Sequence, residues 1–148
     1  MKIYIDADAC PIVIRDIILR ASERLKIPLF FVANTMLKLP LSDLITMVVV
    51  EEGPDIADDM IADMAQNGDL VITEDIPLAD QVISKGATVI TTRGGLLNSD
   101  NIKGRLATRD LLAELRDGGM DTGGPSPFDQ KTTRAFANEF DRFLSKNR

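Results

Sequence analysis

The sequence predicts an α/β fold in which helices cover both faces of a central, mostly parallel sheet. Several short runs are continuously apolar and rich in β-branched residues, as in strands that are buried on both faces. These runs alternate with amphipathic segments of helical length. The chain has 148 residues, 45% of them hydrophobic and 27% charged, which suits one globular domain with a sizeable core.

The predicted elements follow one another from the N-terminus. Residues 2–5 form the first strand, and Pro11 begins a helix whose apolar residues recur at helical spacing to about Leu25. Further strands are predicted over residues 28–33, 46–50, 69–73 and 88–91. Helices are predicted over residues 55–66 and from Pro77 to Lys85, and they are closed by Asn67-Gly68 and by Gly86.

The pattern changes after Gly95. Gly94-Gly95 predicts a loop, and two helices follow over residues 102–116 and 130–144, joined by a Gly/Pro-rich linker at 118–129. We therefore expect a core over residues 1–95 and a helical extension over 96–148, packed as one domain. The last helix could pack on its own sheet or on a partner chain, so an oligomer through the C-terminal helices stays open.

The composition limits the chemistry. The chain has no histidine, which excludes Ser-His-Asp triads, and its single cysteine, Cys10, disfavours a zinc site. Carboxylates are plentiful and suit Mg²⁺ or Mn²⁺. No apolar run approaches the roughly 20 residues that span a bilayer, and the N-terminus reads as a strand rather than a signal peptide. We expect a cytoplasmic protein.

Charge is unevenly distributed along the chain, although the net charge is −6. Residues 1–92 contain 7 Lys/Arg and 15 Asp/Glu, whereas residues 93–148 contain 10 and 8. This asymmetry suits a metal site beside a flank that contacts phosphates. A solvated surface with a chance imbalance is the alternative interpretation.

Acidic residues cluster where predicted strands end. Asp6 and Asp8 follow the first strand, and Glu74, Asp75 and Asp80 follow the fourth. Asp55, Asp58 and Asp59 begin the helix after the third strand. Ligands of open α/β sheets bind at the carboxyl ends of the strands, so these groups converge if the first and fourth strands are neighbours. A divalent cation would turn their repulsion into binding.

Each acid also has a structural interpretation. Asp8 and Asp55 could cap helices, Asp75 could begin a turn, and Asp80 could be an exposed helix residue. Asp58 and Asp59 could interact favourably with the positive N-terminal end of the helix dipole. These two lie about 100° apart on the helix, so we expect only one of them, Asp58, to face the site.

Five sequence stretches resemble the YaiI/YqxD-like family of bacterial proteins, which is related to PIN and NYN nuclease domains. They are IDADACP, GPDIADDMIA, GDLVITEDIPLADQVISKGATVI, TRGG and GGPSPFDQKTTRAFANEFDRFL, and the resemblance extends over nearly the whole chain. The resemblance implies a three-layer α/β/α fold and a nuclease site dependent on Mg²⁺ or Mn²⁺. The tail after Arg93 departs from the common PIN core, which leaves substrate choice open.

The resemblance also implies roles for individual residues. Asp6, Asp58, Asp75 and Asp80 match acidic positions that bind the metal, and Asp8 is a second acid after the first strand. Thr73, in the Thr73-Glu74-Asp75 element, would orient a water or a carboxylate by its hydroxyl. The basic residues that could contact phosphates are Arg93, Lys103, Arg105, Arg109, Lys131 and Arg134.

Three functional hypotheses follow. The leading one is a metal-dependent nuclease, with RNA favoured over DNA as its substrate. The second is a module that binds metal or RNA without turnover. The third is a phosphatase of the haloacid dehalogenase type, suggested by the D-x-D spacing in IDADA, which also requires a downstream lysine and a later acidic pair. A thiol nucleophile is disfavoured, because no base is available to activate Cys10.

Overall fold

A computed structural model of the chain describes residues 1–123 and 127–147, in which one sheet carries six strands and five helices surround it. The strands are β1 (Ile3–Asp6), β2 (Leu29–Ala33), β3 (Ile45–Val49), β4 (Leu70–Ile72), β5 (Thr88–Ile90) and β6 (Leu96–Leu97). The helices are α1 (Ile12–Leu25), α2 (Ile56–Met64), α3 (Ile76–Ser84), α4 (Ile102–Asp117) and α5 (Gln130–Lys146).

The sheet has the strand order β3-β2-β1-β4-β5-β6. The first five strands run parallel, and β6 runs antiparallel to β5. β1 lies at the centre, between β2 and β4, with Ile5 opposite Ile72 of β4. The residues that leave the carboxyl ends of β1 and β4 therefore emerge side by side, where ligands bind in sheets of this kind.

Helices cover both faces of this sheet. On one face, α1 and α5 pack on side chains such as Ile5 and Phe31, which are completely buried. On the other face, α2, α3 and the start of α4 pack on Tyr4 and Val71. Alternate residues of each strand thus enter two separate apolar layers. The predicted three-layer α/β/α fold with a mostly parallel sheet is confirmed.

The last helix packs on the chain's own sheet, which answers the question that the sequence left open. Phe136, Phe140 and Leu144 are buried in the same apolar cluster as β1 and β2, and the two phenylalanine rings stack with centroids 5.3 Å apart. α5 lies directly on the turn after β5. A Cβ atom added at Gly94 would stand 2.6 Å from the carbonyl carbon of Ala135, so this contact requires glycine.

Where a loop was expected after Gly95, the chain instead forms the short strand β6. Gly94 adopts a φ of +89°, and the backbone N–H of Thr91 donates a hydrogen bond of 2.9 Å to the carbonyl of Gly95 across the turn. The Thr91 hydroxyl also accepts the N–H of Gly95 at 2.9 Å. A strand of two residues is too short to leave a periodic signal in the sequence.

The connection between α4 and α5 is only partly described. α4 ends at Asp117, and the predicted linker at 118–129 includes residues 124–126, which lie outside the described residues. Asp129 caps α5 by accepting the N–H of Thr132 at 3.0 Å. Within the described ranges, no helix is both long enough and apolar enough to cross a membrane.

Candidate functional site

The candidate site lies at the carboxyl ends of β1 and β4. Asp6 is the last residue of β1, and Thr73 directly follows β4 on the neighbouring strand. The Thr73 hydroxyl donates a hydrogen bond of 3.0 Å to Oδ2 of Asp6. Thr73 is only 2% exposed, so this hydroxyl is fixed in place and holds the half-buried Asp6 carboxylate in one orientation.

The loop after β4 is rigid because Thr73 and Asp75 bond to each other and to α3. The Thr73 oxygen accepts the backbone N–H of Asp75 at 3.0 Å. Oδ1 of Asp75 accepts the N–H of Leu78 at 2.8 Å and thereby caps α3, whose first turn also contains Pro77. The cap uses one carboxylate oxygen of Asp75 and leaves the other without a partner in the cap.

Helix α2 supplies the remaining acids. Asp55 stands at its N-terminus with a φ of +63°, and its side chain does not cap the helix. Asp58 and Asp59 occupy the first turn. A cleft of about 330 Å³, here called the acidic cleft, opens between α2, α3 and α4. It is lined by Asp55, Asp58, Asp59, Asp75, Pro77, Leu78, Gln81 and Arg109.

The acids influence one another strongly at Asp58. The pKa of Asp58 is raised to about 7, first by burial and then by the charge of Asp75 and a hydrogen bond with Asp75. The charges of Asp6 and Asp55 make smaller contributions to the same rise. Such a carboxyl keeps its proton to a higher pH than an exposed aspartate does. Of the two candidates on α2, Asp58 is thus the one that interacts with both Asp75 and Asp6.

Asp6 shows the same effect more weakly. Burial raises its pKa, the hydrogen bond from Thr73 opposes this, and the charges of Asp75 and Asp8 raise it again. None of the ion pairs within the described part of the chain involves Asp6, Asp58 or Asp75. Three carboxyls from three separate elements therefore meet without a lysine or arginine bridging them.

The other predicted acids are held elsewhere. Oδ2 of Asp8 accepts the backbone N–H of Asn34 at 2.9 Å, which ties the turn after β1 to the end of β2. Asp8 does not cap α1, whose first position is preceded by Pro11. Asp80 is paired with Lys103 of α4, with 2.7 Å between Nζ and Oδ1. The structure brings Asp80 to this ion pair rather than to the acidic cleft.

The candidate phosphate-binding residues are spread over the surface, and Arg109 is the one that lines the acidic cleft. Lys103 is paired with Asp80. Arg93 lies over the ring of Phe128, with 5.7 Å from Cζ to the centroid. Arg105 lies near Gly95, and Lys131 and Arg134 belong to the first turns of α5. They do not form one continuous basic surface with the cleft.

The donor set fits a hard divalent cation. Asp6, Asp58 and Asp75 offer oxygens only, which Mg²⁺ and Mn²⁺ prefer. The pKa of Asp58 is raised mainly by burial and then by the charge of Asp75, and a bound cation would oppose both effects. Among residues 1–123 and 127–147, however, no three histidine, cysteine, aspartate or glutamate side chains are grouped so that they could already hold a metal ion. The carboxyls would have to draw together around the ion.

Sequence reasoning missed Gln81, which lines the acidic cleft from α3. Gln81 lies four residues after Pro77, so helical periodicity from the capped end of α3 would have placed both on one face. The sequence did predict an inert Cys10, and burial raises the pKa of its thiol to about 12. Lys85 is the downstream lysine that a phosphatase of the haloacid dehalogenase type would require. It donates to the backbone carbonyls of Ala62 and Asp63 and to no carboxylate of the site.

Comparison with known proteins places this chain among bacterial relatives. It is 52% identical over 144 residues to the UPF0178 protein Bpet3884 of Bordetella petrii, covering 97% of this chain and 96% of that relative. It is 51% identical over 146 residues to a UPF0178 protein of Trichlorobacter lovleyi, covering 99% and 95%. A UPF0178 protein of Desulfotalea psychrophila is 47% identical over 148 residues, covering 100% of both chains.

No solved structure matches the chain significantly. Residues 4–146 match the family described as uncharacterized BCR, YaiI/YqxD family, so the match includes every strand and helix around the acidic cleft apart from the first residue of β1. The resemblance stated from the sequence motifs is therefore confirmed. This chain belongs to the YaiI/YqxD family.

Proposed function

We propose that this protein is a divalent-metal-dependent nuclease that hydrolyses phosphodiester bonds in RNA. One observation carries the proposal: Asp6, Asp58 and Asp75 come from three separate elements, the charges of Asp75 and Asp6 both act on Asp58, and no ion pair among the described residues includes any of the three. The choice of a nuclease, and of RNA over DNA, rests on the resemblance of the motifs to PIN-like domains.

The residues of the site have distinct roles in this proposal. Asp6, Asp58 and Asp75 would hold Mg²⁺ or Mn²⁺, which when bound supplies Lewis-acid activation of a water and of the phosphate. Thr73 orients Asp6 through its 3.0 Å hydrogen bond. The cap on α3 fixes Asp75, so the loop that carries it does not need to be ordered by the substrate. Asp8 braces the turn beneath Asp6.

Asp80 takes a different role from the one that the sequence suggested. Its ion pair with Lys103 joins α3 to α4 at a distance of 2.7 Å. Replacing Asp80 with asparagine would therefore loosen α4 rather than remove a metal ligand. We accordingly assign the metal to three carboxylates. Asp58 and Asp75 line the acidic cleft together with Asp55 and Asp59, whereas Asp6 does not line it.

The test is hydrolysis of a single-stranded RNA by the purified protein with Mn²⁺, compared with the Asp75→Asn variant. Asparagine keeps the cap on α3 but removes the charge. We expect the variant to lose at least about 100-fold in kcat/KM, as is usual when the metal set is damaged. Asp63→Asn, an exposed position of α2 that does not line the cleft, is the matched control and keeps full activity.

Equal residual hydrolysis by the parent and by Asp75→Asn would identify a contaminating nuclease and contradict the proposal. Calorimetric Mn²⁺ binding by a parent protein that hydrolyses neither RNA nor DNA would instead support the binding module without turnover. A phosphatase of the haloacid dehalogenase type is disfavoured, because Lys85 bonds to backbone carbonyls of α2 and not to a site carboxylate.

A further inference from the structure

We propose that Arg109 of α4 is the residue that positions the substrate phosphodiester against the carboxylates of the acidic cleft, so that the C-terminal extension forms part of the active site. This inference rests on the proposed nuclease function and extends it. Arg109 reaches the acidic cleft from a helix that follows the last strand of the sheet, and it faces Asp58 and Asp75 from α2 and α3.

The start of α4 is anchored, which determines where Arg109 lies. Ile102 is only 2% exposed and belongs to the apolar layer formed with α3. The next residue, Lys103, is paired with Asp80 of α3 at 2.7 Å. Arg109 follows six residues later, about 9 Å along the helix axis. Two contacts thus fix the start of the helix that brings Arg109 to the cleft.

Arg109 is available to an incoming anion. Its one partner within the described structure is Asp110, the next residue of the same helix, with 3.0 Å between Nη1 and Oδ1. Both side chains are about half exposed, and such a surface pair is weak and readily exchanged. Among the described residues that line the acidic cleft, Arg109 is the only one with a positive charge.

The chemistry of the cleft selects a phosphodiester over other ligands. Four carboxylates would repel an anion, so an anion enters only between a cation held by the carboxylates and a second positive group. The planar guanidinium presents paired N–H donors that match two phosphate oxygens. The cleft volume of about 330 Å³ is at the small end of the range for ligand sites. This volume suits one nucleotide unit rather than the surface of a folded macromolecule.

Arg109 has an alternative role that the experiment must distinguish from positioning the phosphodiester. Arg109 could serve only as a counter-charge that offsets the repulsion among the acids. In that case its removal would tighten Mn²⁺ binding and leave nucleic-acid binding unchanged. If Arg109 positions the phosphodiester, its removal weakens nucleic-acid binding in the presence of metal, whatever it does to the metal itself.

The experiment measures binding of a fluorescein-labelled single-stranded RNA with hydrolysis-resistant phosphorothioate linkages, by anisotropy with Mn²⁺ present. We expect Arg109→Ala to weaken binding about tenfold, as for one charge-assisted phosphate contact. The slope of log affinity against log salt should fall by about 0.7. Arg109→Lys keeps the positive charge but lacks the paired N–H donors of the guanidinium, so it should recover part of the lost RNA affinity. Arg116→Ala, another arginine of α4 that does not line the cleft, is the matched control.

The outcomes separate this inference from the function on which it rests. If the parent hydrolyses RNA but Arg109→Ala binds and cleaves like the parent, Arg109 has no positioning role. That result overturns the inference and leaves the proposed nuclease function unaffected. A parent that binds the labelled RNA through Arg109 but never cleaves supports the inference and contradicts the nuclease. A parent that binds no RNA in the presence of Mn²⁺ overturns the inference.

Discussion

At the scale of single residues, two aspartates that look alike in the sequence have opposite roles. Asp69 is only 7% exposed, and its two oxygens accept the backbone N–H groups of Lys2 at 3.0 Å and Gln66 at 2.9 Å. Asp58 is less buried and lies among other carboxyls. One aspartate is satisfied and supports the fold, whereas the other destabilises the site until a proton or a cation relieves it.

The first prediction concerns the pH dependence of stability at Asp58. Its pKa is raised to about 7 in the folded state, so the folded state holds this proton more tightly than the unfolded chain does. The stabilisation is complete below the unfolded pKa and is lost as the pH rises through about 7. In EDTA, Asp58→Asn should therefore gain stability relative to the parent between pH 5 and pH 8.

We expect the gain to be about 2–4 °C in Tm, roughly 1 kcal/mol, after discounting for the solvent that reaches this partly exposed group. Thermal unfolding at several pH values measures it, and Asp63→Asn on the same helix should show no such trend. A difference between Asp58→Asn and the parent that stays constant from pH 5 to pH 8 would show that Asp58 ionises normally.

The second prediction is that Asp69→Ala destabilises the protein by about 2–3 kcal/mol, because two backbone N–H groups lose a charged acceptor in a buried position. Urea unfolding measures the change. Asp69→Asn retains one acceptor oxygen and should lose about half as much. A change below about 0.5 kcal/mol for the alanine variant would mean that water replaces the carboxylate without cost.

At the scale of elements, the helices and the five parallel strands were predictable from the sequence, because each has either a buried apolar run or a clear helical period. The exception is β6, whose two residues carry no period and whose pairing depends on the turn at Gly94. The ion pair between Asp80 and Lys103 was not predictable either. It depends on where α4 packs, and the partners are 23 residues apart in sequence.

The third prediction concerns the docking of α5 on the turn after β5. Gly94→Ala should cost about 2–4 kcal/mol, because the new Cβ would stand 2.6 Å from the backbone of Ala135 at a φ of +89°. Gly104→Ala is the matched control, since nothing lies within 4 Å of its added Cβ and alanine favours a helix by about 0.5–1 kcal/mol.

Unfolding by urea gives both free energies, and limited proteolysis shows whether α5 has been released in Gly94→Ala. The expected result is earlier cleavage within α5 for Gly94→Ala and unchanged cleavage for Gly104→Ala. Equal stability of the Gly94→Ala variant and the parent would show that α5 shifts to accommodate the added methyl group.

At the scale of the whole molecule, the sequence predicted which acids leave the strand ends but not how they are arranged around the cleft. The convergence of Asp6 and Asp75 follows from the pairing of β1 with β4, which the sequence allowed but did not require. The position of Arg109 in the acidic cleft depends on the packing of α4 on α3, a tertiary contact that leaves no local signal in the sequence. Elements and their ends were thus predictable, whereas their long-range partners were not.

The fourth prediction joins metal binding to global stability. A ligand that binds only the folded state at 100 times its Kd stabilises it by about 2.7 kcal/mol, which corresponds to roughly 5–10 °C in Tm for a chain of this size. Mn²⁺ should raise the Tm of the parent and of Asp63→Asn by this amount. It should have little effect on Asp75→Asn. An equal shift in all three proteins would place the ion away from the acidic cleft.

The packing of α5 has a consequence for how the protein is made. Phe136, Phe140 and Leu144 close one apolar layer over strands that leave the ribosome more than 40 residues earlier. Because α1 covers only part of that face, a nascent chain exposes the remaining part of it until α5 has been translated. Chaperones that recognise apolar surface can bind the nascent chain during this interval. A premature stop codon within α5 would leave the apolar surface exposed permanently.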